Sequence, residues 1–176
     1  CNRYSADLMI TSTLWGFLSY PSAVYTVPYG VMVPKEVGNL LLPVPVSGSH
    51  IGFSTLRMEP CWMAMGQAAG IASALSIDGK VKVQNIALSR LQDKLVDQKA
   101  TLMYFKDVDY TSPHFRMVQY LGLRGYLPEW TARLQEPVDM ATLTAWKKLS
   151  GKDLPGIEAG KTTRLVALEM IYRKIK

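Results

Sequence analysis

Cysteine, histidine and concentrated positive charge are what this sequence of 176 residues has least of, and each shortage excludes something. Its two cysteines, Cys1 and Cys61, form neither a disulfide framework nor a CxxC pair of the kind that holds zinc. Cys61 falls in an apolar helical run and reads as a small buried hydrophobe. Two histidines, His50 and His114, are too few and too far apart to suggest a metal site. The net charge of +6 is mild and spread out, with short clusters only at Lys147–Lys148 and at Arg173, Lys174 and Lys176. Without a basic stripe interleaved with aromatics, no nucleic-acid partner is expected. Apolar stretches are interrupted by Pro, Gly and Ser well short of the roughly 20 residues of a membrane span, so no transmembrane helix is expected. There is no GxGxxG after a strand-like run and no GxSxG. Ser47, Ser49 and His50 have no acid nearby in sequence with which to build a hydrolase triad. The chain starts on Cys1 with no signal peptide, which suggests a processed or truncated chain, a lipid-modified cysteine being the alternative.

What is present is a sizeable core, since 48% of the residues are hydrophobic, enough for one domain or two small ones. The most informative stretch is residues 48–70, GSHIGFSTLRMEPCWMAMGQAAG. A turn of small polar residues runs into a helix that is expected to begin within Thr55–Pro60 and to end near Ile77, stopped by Asp78–Gly79. Pro60 suits a first turn, where a missing N–H costs nothing. Unpaired amides and the helix dipole at such a start can receive an electron-rich group. Gly66 and Gly70, with Ala69, Ala72 and Ala74, allow another backbone to approach closely. The alternative is a buried helix that simply packs on a sheet.

Elsewhere the pattern predicts an apolar helical or irregular segment over 3–19. Strands are predicted over 23–33 and 39–46, with a bend at Pro28–Gly30. Residues 83–99 place Ile86, Leu88, Leu91, Leu95 and Val96 at helical spacing opposite a charged face. A composition shift at 104–113 marks a boundary, giving two units, 1–102 and 103–176. In the second, helices are predicted over 114–121, 140–149 with Asp139 as N-cap, and from Thr162 or Thr163 to Ile175. Asp107 and Asp109 could suggest a carboxylate pair, but lie in a polar turn that favours capping or solvation.

The pieces Val27–Lys35, Asn39–Leu42, Ser47–His50 and Leu56–Gly70, with their Arg-x-x-Pro and GQAAG run, resemble the C-terminal part of a family of FAD-dependent oxidoreductases, including xanthan lyase-like flavoproteins. The resemblance covers roughly residues 24–100. It implies an α/β fragment, a few strands plus long helices of an FAD-binding fold lacking its N-terminal Rossmann half, followed by an all-α module. Ser49, Ser54, Thr55, Leu56, Arg57 and Met58 would then be the cofactor-binding residues at the helix start facing the flavin. Arg57 and the backbone amides would stabilise negative charge on the reduced ring. His50 would touch substrate or cofactor, unless it is only satisfied by loop backbone. Val44–Pro45 replaces the Gly-Arg usual in the family, which puts that cofactor contact in doubt. Lacking the pyrophosphate fingerprint, the chain alone is expected to bind FAD weakly or not at all and to be inactive.

Phe105–Val108, Val118, Leu121, Gly125, Leu127 and Pro137–Leu143 bear a weaker likeness to S-layer homology modules, although Asp139–Thr142 replaces their basic signature. The expected function is therefore the C-terminal region of an FAD-dependent oxidoreductase. Its partners would be the N-terminal half of the same flavoprotein and an unidentified small-molecule substrate. A non-catalytic module whose helical tail docks on a cell-surface polymer or partner subunit is the alternative. The substrate, the oligomeric state and the compartment do not follow from the sequence; a bacterial periplasmic or extracytoplasmic setting is compatible with it.

Overall fold

The computed structural model describes residues 24–176. Cys1 and the apolar segment expected over 3–19 lie outside the described residues. Six α-helices follow in chain order: α1 His50–Leu56, α2 Glu59–Gly79, α3 Leu88–Asp97, α4 Phe115–Gly122, α5 Met140–Ser150 and α6 Arg164–Ile175, with 3-10 turns at Tyr29–Met32 and Val83–Asn85. No helix among the described residues is long and apolar enough to cross a membrane.

The described residues are mostly helical and contain no strand, so the strands expected over 23–33 and 39–46 do not form in them. The reason is local. Tyr29–Met32 closes into a 3-10 turn, with Val31 N–H donating to Pro28 O and Val33 N–H to Gly30 O. Pro34, Pro43 and Pro45 bring no N–H, so 40–46 cannot supply a regular ladder. What remains are two single bonds, Leu42 N–H to Met32 O and Ser47 N–H to Val31 O, each 2.8 Å. The one isolated β-bridge among the described residues is antiparallel, Pro137 with Thr163.

The long helix matches its expected start and runs two residues past Ile77. Its stop is made by Lys80, which takes the left-handed conformation (φ 50°) while its N–H reaches back to Ile77 and Ser76 carbonyls. Met65, Ala69, Ala72 and Leu75 form the buried side, packed on Met32, Val46 and Leu56 near one end and on Ile86, Leu91 and Leu95 near the other. The opposite side is open. Met63 and Ile77 are 77% and 75% exposed, and a Cβ added at Gly66 or Gly70 would meet nothing within 4 Å. Close backbone approach at these glycines, expected from their spacing, is not made by any described residue.

Residues 103–175 hold a separate core, built on Phe105, Val118, Leu121, Leu127, Val138, Leu143, Trp146, Leu168 and Ile171. Asp139 caps α5, its carboxylate accepting from Thr142 N–H at 2.8 Å, and Gly151 ends that helix in the left-handed region (φ 60°). Thr163 caps α6. The chain at 134–138 pairs irregularly with 160–165 through Val138 N–H to Thr162 O and Leu165 N–H to Leu134 O. Asp107 supports the same loop, its two carboxylate oxygens accepting from Ala132 N–H at 2.8 Å and Arg133 N–H at 2.7 Å. Asp109 instead closes a turn on Thr111. Both aspartates thus serve backbone, not a paired acid–base site.

Candidate functional site

The joint between α1 and α2 carries the residues the sequence singles out. A continuous helix through it is barred by Pro60, whose ring would press on the carbonyl four residues back and which has no N–H to bond it. The backbone therefore breaks at Arg57 (ψ 1°) and Met58 (ψ 136°) and restarts with Glu59. Ser49 caps α1, its hydroxyl oxygen accepting from Gly52 N–H at 3.0 Å. The Ser54 hydroxyl donates to Ile51 O at 2.6 Å and that of Thr55 to Gly52 O at 3.1 Å. The Tyr25 hydroxyl in turn donates to Thr55 Oγ1. Leu56 is buried in the core.

These bonds redistribute the expected donors. Ser54, Thr55 and Leu56 belong to the last turn of α1, not to the start of the long helix, and Arg57 N–H is taken by Phe53 O at 3.0 Å. At the true start of α2, the Met58 carbonyl accepts from Cys61 and Trp62, while the Met58 and Glu59 amides have no acceptor among the described residues. Arg57, Met58 and Glu59 are all exposed. The Arg57 guanidinium pairs with no carboxylate among the described residues. His50 is exposed on the first turn of α1, with no described hydrogen bond to its ring.

Sequence reasoning missed two features of this mouth. Glu59 is the acidic residue of the α2 first turn, where a carboxylate complements the helix dipole and opposes a second negative charge. The indole N–H of Trp62, one turn along, is buried with no acceptor among the described residues. A buried donor left in that state costs about 1–3 kcal/mol, so the site calls for a further acceptor. Glu59 could have been found from its place just before Pro60 at a helix start, whereas nothing in the run signals the buried indole.

The concavities lie elsewhere. An open cleft of about 440 Å³ is lined by Asn39, Ser76, Lys80 and Val83, at the far end of α2 and roughly 30 Å from its start. A second, of about 400 Å³, lies among Asp107, His114, Arg133 and Glu136. Neither touches residues 49–58. No group of three or more His, Cys, Asp or Glu side chains among the described residues could hold a metal ion.

A sequence model of the FAD dependent oxidoreductase family matches residues 1–95, more than half of the chain, and the chain belongs to that family. No curated protein and no solved structure matches significantly. The family makes this a flavoprotein region, with FAD as cofactor of the full-length protein. At the start of α2, two amides without an acceptor and an exposed, unpaired Arg57 are the donors to which an electron-rich group could bond; the Trp62 N–H is buried beneath the surface and does not reach them. The sequence holds no GxGxxG turn of the kind that cradles a dinucleotide pyrophosphate.

Proposed function

We propose that this chain is the C-terminal region of an FAD-dependent oxidoreductase and that it supplies the α2 start as the polar edge of the flavin site. The observation that carries the reading is the pair of Met58 and Glu59 amides left without a described acceptor beside exposed Arg57, at the head of a 21-residue helix. When bound, FAD supplies the redox chemistry, exchanging electrons with a small-molecule substrate. The residues of this chain orient the ring and balance its charge. Arg57 and the amides stabilise negative charge on the pyrimidine edge, and Glu59 moderates it. Ser49, Ser54 and Thr55 act by holding the backbone of α1, and His50, exposed on its first turn, is the residue assigned to contact with substrate or cofactor.

The N-terminal half of the same flavoprotein is the partner this reading requires. It would cover the open face of α2 at Met63, Gly66, Gly70 and Ile77. The helical unit beyond Leu102 is an accessory module joined to this region.

The test is a flavin reduction potential measured on the full-length protein. Arg57→Ala should make it more negative, and Glu59→Gln more positive, with flavin retained in both. Equal potentials in all three proteins would remove the proposed role of the mouth. A full-length protein that neither contains flavin nor takes up FAD would remove the oxidoreductase reading altogether.

A further inference from the structure

The C-terminal ends of α5 and α6 come together into one cationic edge that the flavin reading does not use. Lys147 and Lys148 occupy the last turn of α5, Lys152 follows it, and Arg173 and Lys174 occupy the last turn of α6, with Lys176 beyond. Two reciprocal bonds lock the ends: Lys152 Nζ donates to Lys174 O at 3.0 Å, and Lys174 Nζ donates to Asp153 O at 3.1 Å. The single carboxylate in this group, Asp153, lies 3.6 Å from Lys147 Nζ. Lys148 and Arg173 are exposed and pair with no carboxylate among the described residues.

Cations at helix C-termini complement the dipole, and that alone would explain one or two of them. Lys152 and Lys174 are spent on carbonyls, Lys147 on Asp153 and Lys176 on the Tyr172 hydroxyl, which leaves Lys148 and Arg173 as exposed cations without a described partner. Leu149, directly after the Lys147–Lys148 pair in sequence, is half exposed. An exposed apolar side chain next to basic ones matches the interface of an anionic bilayer, where cations meet phosphates and the apolar group enters the boundary.

We propose that this edge docks the protein peripherally on a phosphate-bearing anionic lipid surface. Charge complementarity supplies the attraction, and Leu149 distinguishes a bilayer from a soluble polyanion. The inference is independent of the flavin site and stands or falls without it.

The experiment is sedimentation of the full chain with vesicles of phosphatidylglycerol and phosphatidylcholine, against vesicles of phosphatidylcholine alone. Binding is expected only to the anionic vesicles, and is expected to vanish at high salt, since exposed charges are screened. The double variant Lys148→Glu with Arg173→Glu should bind at least about tenfold more weakly. Its helical circular dichroism should be unchanged, because neither residue holds a described partner. Leu149→Ser should weaken vesicle binding while leaving binding to inorganic polyphosphate unchanged. Equal binding to both vesicle types, or a double variant that folds and binds like the parent, would overturn the proposal. Binding of polyphosphate without binding of vesicles would overturn the lipid source.

Discussion

The side-chain amide of Gln119 grips the backbone of Met103 in both directions. Its Oε1 accepts from Met103 N–H at 2.8 Å, its Nε2 donates to Met103 O at 2.7 Å, and the same oxygen accepts from Leu102 N–H at 2.8 Å. Gln119 is completely buried in α4. One side chain therefore fastens the segment that follows the family-matched residues onto the helical unit, with Arg116 pairing to Asp97 of α3 beside it.

Gln119→Leu keeps the volume but leaves the Leu102 and Met103 groups without partners. Lost hydrogen bonds and stranded half-buried groups together should cost about 2 kcal/mol. A urea unfolding curve should show that loss as a lower midpoint. Urea midpoints that coincide with the parent's would mean that water replaces the amide.

Gly122 meets Phe105 where α4 ends. A Cβ there would lie 3.0 Å and 3.2 Å from two atoms of the ring, which is itself buried. Gly122→Ala gains up to about 1 kcal/mol of helix propensity but forces the ring from its place, an overpacking cost of about 1–3 kcal/mol. The net expectation is a modest loss of thermal stability. If Phe105→Leu is added, the alanine should become neutral or favourable.

Asp107→Asn should loosen the 130–135 loop. An amide can accept only one of the two N–H groups that the carboxylate receives from Ala132 and Arg133, and it turns a donor toward the other. The expected cost is about 1–2 kcal/mol. Hydrogen exchange at the Arg133 amide should accelerate, with exchange in α2 unaffected.

Asp139 predicts an acid response. The hydroxyl and N–H of Thr142 hold its carboxyl below the ordinary value of 3.8. A carboxylate lowered in the folded state contributes stability that is present above 3.8 and is lost as pH falls through the lower folded value. Asp139→Ala should therefore lower the melting temperature at neutral pH, and the gap to the parent should close as the pH drops below about 3.8. A gap that is constant with pH would show that the cap works without its charge.

The helical unit was readable because its signals are local. Asp139 and Thr163 cap the helices they precede, and Leu168 and Ile171 fall on the buried side that their spacing implies. The strands were misjudged because Val and Tyr favour extended backbone, but a ladder needs a neighbouring edge, which 24–46 does not find among the described residues. The start of the long helix was likewise legible, within Thr55–Pro60. Its donors were not, since the break at Arg57–Met58 hands the amides of Ser54 to Arg57 to a separate short helix.

The sequence by itself determined the family and where most of the helices lie, because caps, prolines and periodicity act over a few residues. Only the tertiary structure decided which amides are left without a described acceptor, that Gln119 clasps Met103, and that two helix ends pool their lysines. Those outcomes depend on residues far apart in the chain meeting in space, and no local preference encodes such a meeting.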